Sequence, residues 1–164
     1  MRQFVTVAFD MLPGSRGEAS ARQIAALCWR LQDGVMQVLL ISSRDTGRWV
    51  IPKGWPIDGL DPSAAAAREA WEEAGAKGTV ARIELGTFGY DKQLKTASVA
   101  CSVTVFALQV QHLADRFPER KQRRRRWVAL DKAAKLVQEP GLQALLTQIG
   151  RNPALIAIRG AAAP

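Results

Sequence analysis

Short apolar runs separated by polar breaks occupy the first third of the chain, and they predict strands. Residues 23–30 and 35–42 are two such runs, and Asp33-Gly34 between them is typical of a two-residue hairpin turn. Residues 48–51 predict a third, short strand that ends at Pro52. The Gly- and Pro-containing segment 53–59 then predicts a loop.

The next segment changes to a helical pattern. Asp61 offers a side-chain acceptor at the N-cap position, and Pro62 suits the first helical position. Residues 64–74 are rich in Ala and Glu, which are good helix formers, and Gly75 suits the residue that ends a helix. We therefore predict a helix that starts at Asp61-Pro62 and ends at Gly75.

The remainder of the chain returns to strands and then to helices. Strand-rich segments are predicted at residues 79–90 and 96–111, and a short strand is predicted at residues 126–128. Two helices are predicted at residues 131–138 and 141–149. The order of strands, helix, strands and helices predicts an α+β fold. We expect a lead-in over residues 1–20, one domain over residues 21–150 and a tail over residues 151–164.

One face of the predicted helix 62–74 carries three carboxylates. At 100° per residue, Glu69, Glu72 and Glu73 lie on the same side. Clustered carboxylates repel one another, and a hard cation such as Mg²⁺ or Mn²⁺ removes that repulsion. Arg68 adjoins the cluster and can pair with one carboxylate. Helix geometry alone leaves a second interpretation open, namely a solvated acidic face.

The opposite face of that helix is expected to pack against the sheet. Its members are small or aromatic: Ala67, Ala70, Trp71 and Ala74. Ala65 is expected beside the carboxylates, where a bulky residue would block access to them.

Composition excludes several classes of protein. The chain has 164 residues, of which 48% are hydrophobic, and this suits a single soluble domain rather than a disordered segment. No apolar run approaches the roughly 18 residues of a membrane span, so no membrane partner is expected. Cys28 and Cys101 lie in apolar runs without metal-site spacing, which predicts reduced core residues and a cytoplasmic location.

The formal net charge of +8 is concentrated in one segment. Residues 116–126 hold seven basic side chains and one Glu, whereas residues 61–110 hold five basic and six acidic ones. A compact polyanion is therefore the expected partner, either a nucleic acid or an acidic surface. In a strand, Arg124 and Arg126 would face one way and Arg123 and Arg125 the other, so only half of the arginine run can serve one site.

The spacing around the acidic helix resembles the Nudix box of the Nudix hydrolases. That pattern is Gly, five residues, Glu, seven residues, then Arg-Glu-U-x-Glu-Glu-x-Gly-U, where U is bulky and aliphatic. The matching positions are Gly54, Arg68, Glu69, Glu72, Glu73 and Gly75. Leu60 replaces the first Glu, with Asp58 or Asp61 as possible substitutes, and both U positions are alanines, Ala70 and Ala76.

The resemblance implies a fold, a reaction and a set of roles. The fold would be a mixed β-sheet sandwiched between helices, an α/β/α arrangement. The reaction would be metal-dependent hydrolysis of a phosphoanhydride bond, with Glu69, Glu72 and Glu73 as ligands of Mg²⁺ or Mn²⁺ and with Arg68 orienting them. Glu72, Glu73 and Glu119 all stay open as the general base.

Further segments resemble the branch of the family that acts on diphosphoinositol polyphosphates and diadenosine polyphosphates. They are Ser42-Ser43-Arg44, residues 48–54 and residues 123–128. Forked arginine contacts suit phosphate groups. The candidate substrate-binding residues are Arg22, Ser43, Arg44, Lys53, Gly54, Trp55, Lys92 and Arg124, with Lys95 and Tyr90 as further candidates.

Two other functions stay open. One is a pyrophosphohydrolase of capped or triphosphorylated RNA ends, or of another nucleoside-diphosphate derivative. The other is a non-catalytic Nudix-fold module that binds nucleic acid through its basic segment, in which case binding would weaken steeply with salt. A polyphosphate small molecule is the favoured partner and nucleic acid the less favoured one, and the protein is expected to be a monomer or a homodimer.

Overall fold

A computed structural model describes residues 20–156 of the chain. Nearly all of the predicted lead-in, and residues 157–164 of the predicted tail, lie outside the described residues. The strands are β1 (Ser20–Gln32), β2 (Val35–Ser42), β3 (Trp49–Val50), β4 (Lys53–Gly54), β5 (Ala76–Val80), β6 (Gly86–Gln93), β7 (Ser98–Leu113) and β8 (Arg125–Ala129). The helices are α1 (Pro62–Ala74), α2 (Leu130–Leu136) and α3 (Pro140–Arg151), and a 3₁₀ turn covers Arg120–Gln122.

Within residues 20–156 the strands form one mixed sheet whose central pair is parallel. β1 pairs with β7 in parallel, and β2 and β4 pair with β1 in antiparallel fashion. β5 and β6 pair with successive parts of β7, while β3 and β8 pair with β2. The segment predicted as a loop thus begins with a two-residue strand, because Lys53 and Gly54 bond to the edge of β1.

The predicted hairpin between β1 and β2 is confirmed. Asp33 and Gly34 both have positive φ angles, 52° and 78°, as a tight turn of the type that matches strand twist requires. Helix α1 also ends as predicted, since Gly75 is left-handed with φ 65° and its N–H bonds to the carbonyl of Trp71. The predicted start of the helix is confirmed, with Asp61 at the N-cap and Pro62 in the first turn. The Asp61 side chain is exposed and makes no capping hydrogen bond, so water can solvate this helix end.

The two faces of the sheet bury two separate cores, which confirms the sandwich arrangement. Alternation along β1 sends Ala25, Leu27 and Trp29 to the core under α2 and α3, and it sends Ile24, Ala26 and Cys28 to the core under α1. Cys28 and Cys101 are buried and form no disulfide, as predicted for core cysteines. Among the described helices, none is long and apolar enough to cross a membrane.

The buried face of α1 differs from the predicted one by a rotation toward the carboxylates. Ala65, Ala66, Ala70 and Ala74 are fully buried, so four small side chains let the helix lie close to the sheet. Ala65 is therefore a core residue rather than part of an access route. Trp71 is only half-buried, and the Lys77 ammonium lies 4.4 Å from its ring centroid. A large indole would hold the helix away from the sheet, which explains its place at the margin.

Candidate active site

The three carboxylates of α1 share one side of the helix but differ in depth. Glu73 is only 5% exposed, Glu69 is half-buried, and the Glu72 side chain retains 32% of its exposure. Glu73 lies against both the backbone of Lys53 in β4 and the buried Arg123 side chain. The sequence predicted the shared face, but the burial of Glu73 depends on the neighbouring strand.

Glu73 is held by groups from two distant segments. Its Oε2 lies 3.0 Å from a guanidinium nitrogen of Arg123, and its Oε1 accepts a hydrogen bond of 3.4 Å from the backbone N–H of Lys53. The pKa of Glu73 is raised to about 7. Burial is the largest cause, Arg123 and Lys53 act against it, and the neighbouring carboxylates of Glu69 and Glu119 add to it. One arginine does not fully offset the burial and the two neighbouring carboxylates.

Glu119 joins these carboxylates from the segment that precedes the arginine run. It is 6% exposed, and its backbone N–H bonds to the Glu72 carbonyl at 3.0 Å. Its Oε1 lies 3.2 Å from Arg123 and 3.4 Å from Arg44. The structure therefore brings this predicted candidate base together with the helix carboxylates. We call Glu69, Glu72, Glu73 and Glu119 the carboxylate cluster.

Arg123 is the buried cation of the carboxylate cluster. The sequence predicted Arg124 as a substrate-binding residue and did not single out Arg123. The Arg123 side chain is 8% exposed, and one guanidinium nitrogen also donates to the Ser42 carbonyl at 3.1 Å. Arg124 points away from the cluster: its guanidinium lies 5.1 Å from the Trp49 ring centroid and donates to the Gly47 carbonyl at 3.4 Å. The predicted strand alternation was the signal that could have identified Arg123.

Arg125 also faces α1, but it stabilises the fold rather than the cluster. One of its guanidinium nitrogens donates to the carbonyls of Ala74, at 3.0 Å, and Ala114, at 2.8 Å. The last carbonyls of a helix have no partner within the helix, and a cation there also suits the helix dipole. We call Arg123 and Arg125 the inner arginines. Arg124 and Arg126, which are exposed on the other side of the strand, are the outer arginines.

Gly54 and Arg68 are the first two positions that match the Nudix box, and their surroundings differ. A Cβ at Gly54 would overlap with the Glu69 carboxylate, so any other residue at this point of β4 would displace the end of the Glu69 side chain. Arg68 pairs with Glu72 at 3.4 Å across one helical turn, and its side chain is more than half exposed. Such exposed pairs contribute little. The arginine that holds buried carboxylates is therefore Arg123 rather than the predicted Arg68.

The predicted substrate-binding residues fall into separate groups. Two lysines stack on aromatic rings near β4: Lys53 lies 5.3 Å from the Tyr90 ring centroid, and Lys92 lies 4.8 Å from that of Trp55. Burial lowers the pKa of Lys53, against the effect of Glu139 and Glu73, which lie on either side of it. Two ammonium groups thus lie over aromatic rings in the neighbourhood of β4.

The remaining candidates lie farther apart. Arg44 reaches the cluster through Glu119. The Ser43 hydroxyl is bonded to the Thr46 hydroxyl at 2.7 Å within its own loop. Arg22 is exposed on β1, on the face that carries α1, and Lys95 is exposed in the turn between β6 and β7.

A cleft that sequence reasoning missed opens on the other face of the sheet, beside β6 and the start of α3. Its volume is about 560 Å³, and its lining includes Arg48, Tyr90, Asp91, Gln138 and Glu139. Arg48 and Glu139 form an ion pair of 3.3 Å. These residues are 91 positions apart in sequence and carry no motif, so only the folded chain brings them together.

The donor chemistry of the carboxylate cluster suits a hard divalent cation. Its oxygens are the ligands that Mg²⁺ and Mn²⁺ prefer. In the arrangement found here, no three metal-binding side chains among residues 20–156 are placed to hold one ion together. Arg123 occupies the position between Glu73 and Glu119.

Comparisons with known proteins agree with one another. Residues 21–148 match the family model described as the NUDIX domain. The chain is 34% identical over 120 residues to "Nudix hydrolase 12, mitochondrial" of Arabidopsis thaliana, a match that covers 71% of this chain and 59% of that protein. It is 32% identical over 123 residues to diphosphoinositol polyphosphate phosphohydrolase 3-alpha of Mus musculus, which covers 74% of this chain and 71% of that one.

Solved structures share the fold. The crystal structure of a C. elegans Ap4A hydrolase binary complex superposes with a TM-score of 0.59 at 20% identity, over 81% of this chain and 97% of that chain. At that identity the likeness concerns the architecture alone. It agrees with the mixed sheet and flanking helices described above.

Proposed function

The chain belongs to the Nudix family, and from this premise we propose that it hydrolyses a phosphoanhydride bond in a polyphosphorylated small molecule. Diadenosine polyphosphates and diphosphoinositol polyphosphates are the proposed substrate classes, in keeping with the names of its relatives. We place the protein in a reducing compartment such as the cytoplasm, because Cys28 and Cys101 are buried and unpaired.

The observation that supports this proposal is the set of carboxylates around Arg123 and β4. Glu73 and Glu119 share Arg123, and Glu69 lies against Gly54. Glu69, Glu72 and Glu73 are the proposed ligands of Mg²⁺ or Mn²⁺. When bound, such an ion offsets charge on phosphate oxygens and lowers the pKa of a water molecule. A pure binding module for anions gains nothing from several carboxylates on one surface, since each repels the ligand.

The chain's own residues have separate proposed tasks in this reaction. Arg123 and Arg68 position the carboxylates, and the base that accepts a proton from the attacking water is Glu72, Glu73 or Glu119. Lys53 and Arg44, each adjacent to the carboxylate cluster, are proposed to bind the phosphates that flank the reacting bond. Lys92, Trp55, Ser43 and Arg22 are proposed to contact more distant parts of a long substrate.

A substrate panel tests the proposal. The purified protein is assayed with diadenosine polyphosphates, inositol pyrophosphates and nucleoside triphosphates, with Mg²⁺, with Mn²⁺ and with EDTA, and the products are identified. Turnover of at least one phosphoanhydride that EDTA abolishes is expected. Folded protein that cleaves none of these compounds would overturn the proposal.

Glu73→Gln tests the assignment of the site. The variant keeps the shape of the side chain and should lower turnover by at least roughly 100-fold, because it removes a charged ligand from the cluster. Glu84→Gln makes the same chemical change on an exposed residue and serves as the control. Full activity in Glu73→Gln would show that the carboxylates are assigned wrongly.

A further inference from the structure

Glu119 reaches the carboxylate cluster on a segment that caps the C-terminal end of α1. The last carbonyls of a helix have no partner within the helix, and residues 114–119 supply donors at this end. The Ala114 N–H bonds to the Gly75 carbonyl at 2.8 Å, and the Glu119 N–H bonds to the Glu72 carbonyl at 3.0 Å. We call residues 114–119 the Glu119 arm. Both ends of the arm are therefore attached to the end of α1.

Phe117 anchors the middle of the Glu119 arm. Its ring lies against Gly75 so closely that an added Cβ there would overlap with it. The Arg125 guanidinium lies 4.8 Å from the ring centroid, within the range of a cation–π contact. The half-buried ring of Phe117 thus ties the arm to the end of α1 and to β8.

The connection from Phe117 to Glu119 is stiff. Pro118 lies between them, and a proline fixes its own φ angle and restricts the conformation of the residue before it. On the other side of Glu119, the 3₁₀ turn Arg120–Gln122 begins, and the Gln122 N–H bonds to the Glu119 carbonyl at 3.0 Å. Few backbone rotations therefore separate the anchored ring from the Glu119 side chain.

The place of the Glu119 carboxylate depends on this arm. The side chain lies 3.2 Å from Arg123 and 3.4 Å from Arg44, and both arginines belong to other segments. The other three carboxylates of the cluster are carried by α1 itself. A shift of the arm would therefore move Glu119 relative to every other charged group of the cluster.

We infer that Phe117 is a positioning residue for the proposed reaction, because its anchored ring sets the place of the Glu119 carboxylate in the cluster. The inference rests on the proposed function and adds a residue from outside the carboxylate cluster. A displacement of about 1 Å in a group that takes part in a reaction can lower the rate roughly 100-fold. If the arm served only to cap α1, loss of the Phe117 ring would lower stability without acting through Glu119.

Hydrogen exchange tests the anchoring without any turnover. The exchange rate of the Glu119 amide is measured by NMR in wild type, Phe117→Ala and Trp71→Ala, without metal. Trp71 is the matched control, because it is also a half-buried aromatic residue beside a cation, Lys77, and lies outside the arm. Exchange should be at least roughly tenfold faster in Phe117→Ala and within about twofold of wild type in Trp71→Ala. Equal exchange rates in the two variants would overturn the inference.

Steady-state kinetics test the effect on the reaction. Turnover is measured with Mg²⁺ and diadenosine tetraphosphate, or with whichever compound of the substrate panel is cleaved fastest. Phe117→Ala should lower kcat at least roughly tenfold and leave KM within about threefold, because the position of Glu119 affects the reacting step more than substrate binding. Trp71→Ala should keep the wild-type kcat. A fall in kcat of the same size in both variants would contradict a role through Glu119.

A double-mutant cycle shows whether Phe117 acts through Glu119. Glu119→Gln should lower kcat by itself, and the further change Phe117→Ala should then cause no additional loss. The same fold-loss from Phe117→Ala with and without Glu119→Gln would overturn the inference, since a merely structural residue lowers kcat in both backgrounds. Phe117→Leu keeps most of the side-chain volume and provides the same comparisons if Phe117→Ala does not fold.

Failure of the proposed function has a different signature. In that case wild type cleaves no phosphoanhydride of the substrate panel, while the exchange of the Glu119 amide still responds to Phe117→Ala and not to Trp71→Ala. Failure of the inference leaves turnover by wild type intact and removes the difference between these two variants.

Discussion

The inner and the outer arginines are neighbours in the sequence and opposites in the structure. Arg123 is nearly buried and lies between Glu73 and Glu119, whereas Arg124 is exposed and rests on Trp49. The cause is the alternation of side chains along an extended chain that pairs with β2. Identical residues one position apart therefore serve in one case as an internal counter-charge and in the other as surface charge.

This difference corrects the simplest interpretation of the net charge of +8. The basic segment was expected to bind a compact polyanion, with half of the arginine run serving one site. The inner arginines do face the acidic helix, but Arg123 is engaged by carboxylates and Arg125 by backbone carbonyls. The charge that remains available to a polyanion in this segment lies on the outer arginines and on the exposed Arg116, Arg120 and Lys121.

The largest expected effect comes from removal of the inner cation. Arg123→Ala should lower the free energy of unfolding by about 3–5 kcal/mol, because it removes the buried cation that pairs with both Glu73 and Glu119. Chemical denaturation at neutral pH measures the loss. Arg124→Ala is the matched control one residue away, and similar losses in the two variants would contradict the division into inner and outer arginines.

The pH dependence of stability tests the protonation of Glu73, the buried partner of Arg123. Burial raises the pKa of Glu73 from 4.5 to about 7 in the folded chain, so the folded state holds a proton in this window that the unfolded state has released. Stability therefore falls as the pH rises. Relative to Glu73→Gln, wild type in EDTA should lose roughly 3 kcal/mol between pH 4.5 and 7.

Denaturation midpoints across the pH range test this prediction. Glu84→Gln, with its exposed side chain, should follow the wild-type profile. Parallel profiles for wild type and Glu73→Gln would show that the pair with Arg123 keeps Glu73 ionised throughout and that burial does not raise the pKa of Glu73.

The second inner arginine should have a smaller effect. Arg125→Ala removes two hydrogen bonds to the carbonyls of Ala74 and Ala114, and we expect a loss of about 1–3 kcal/mol. Thermal unfolding measures it, and Arg126→Ala is the control on the next residue. A loss as large as that of Arg123→Ala would mean that the end of α1 and the carboxylate cluster fold as one unit.

The outer arginines should have the smallest effect on stability. The double variant Arg124→Ala/Arg126→Ala should stay within about 0.5 kcal/mol of wild type, because both side chains are exposed. It should weaken any binding of single-stranded RNA and flatten the salt dependence of that binding. A fall in turnover of more than about tenfold would instead assign these residues to the substrate site.

Local signals in the sequence predicted much of the fold. Asp33-Gly34 specified its hairpin because few residues accept positive φ angles. The boundaries of α1 followed from Pro62 and Gly75, and the family followed from the spacing of Gly54, Arg68 and the glutamates. Errors occurred where a neighbour decides the outcome. Trp71 lies at the margin because the sheet leaves room only for alanines, and Asp61 forms no cap bond at a solvated helix end.

The candidate site was also predicted only in part from local patterns in the sequence. The helical repeat is sufficient to place Glu69, Glu72 and Glu73 on one face, and strand alternation is sufficient to separate Arg123 from Arg124. Neither pattern contains information on depth. The burial of Glu73 by β4, the arrival of Glu119 from a distant segment and the pairing of Arg48 with Glu139 are contacts between residues far apart in the chain.

The sequence by itself determined the family and the local face on which each candidate residue lies, because period and turn residues act over a few positions. Only the tertiary structure decided which arginine meets the carboxylates, which carboxylate is buried and where the cleft opens. Those outcomes depend on how β4, β8 and the start of α3 pack around the sheet. Packing of this kind is set by the whole chain, since each buried charge requires a partner that the local sequence does not supply.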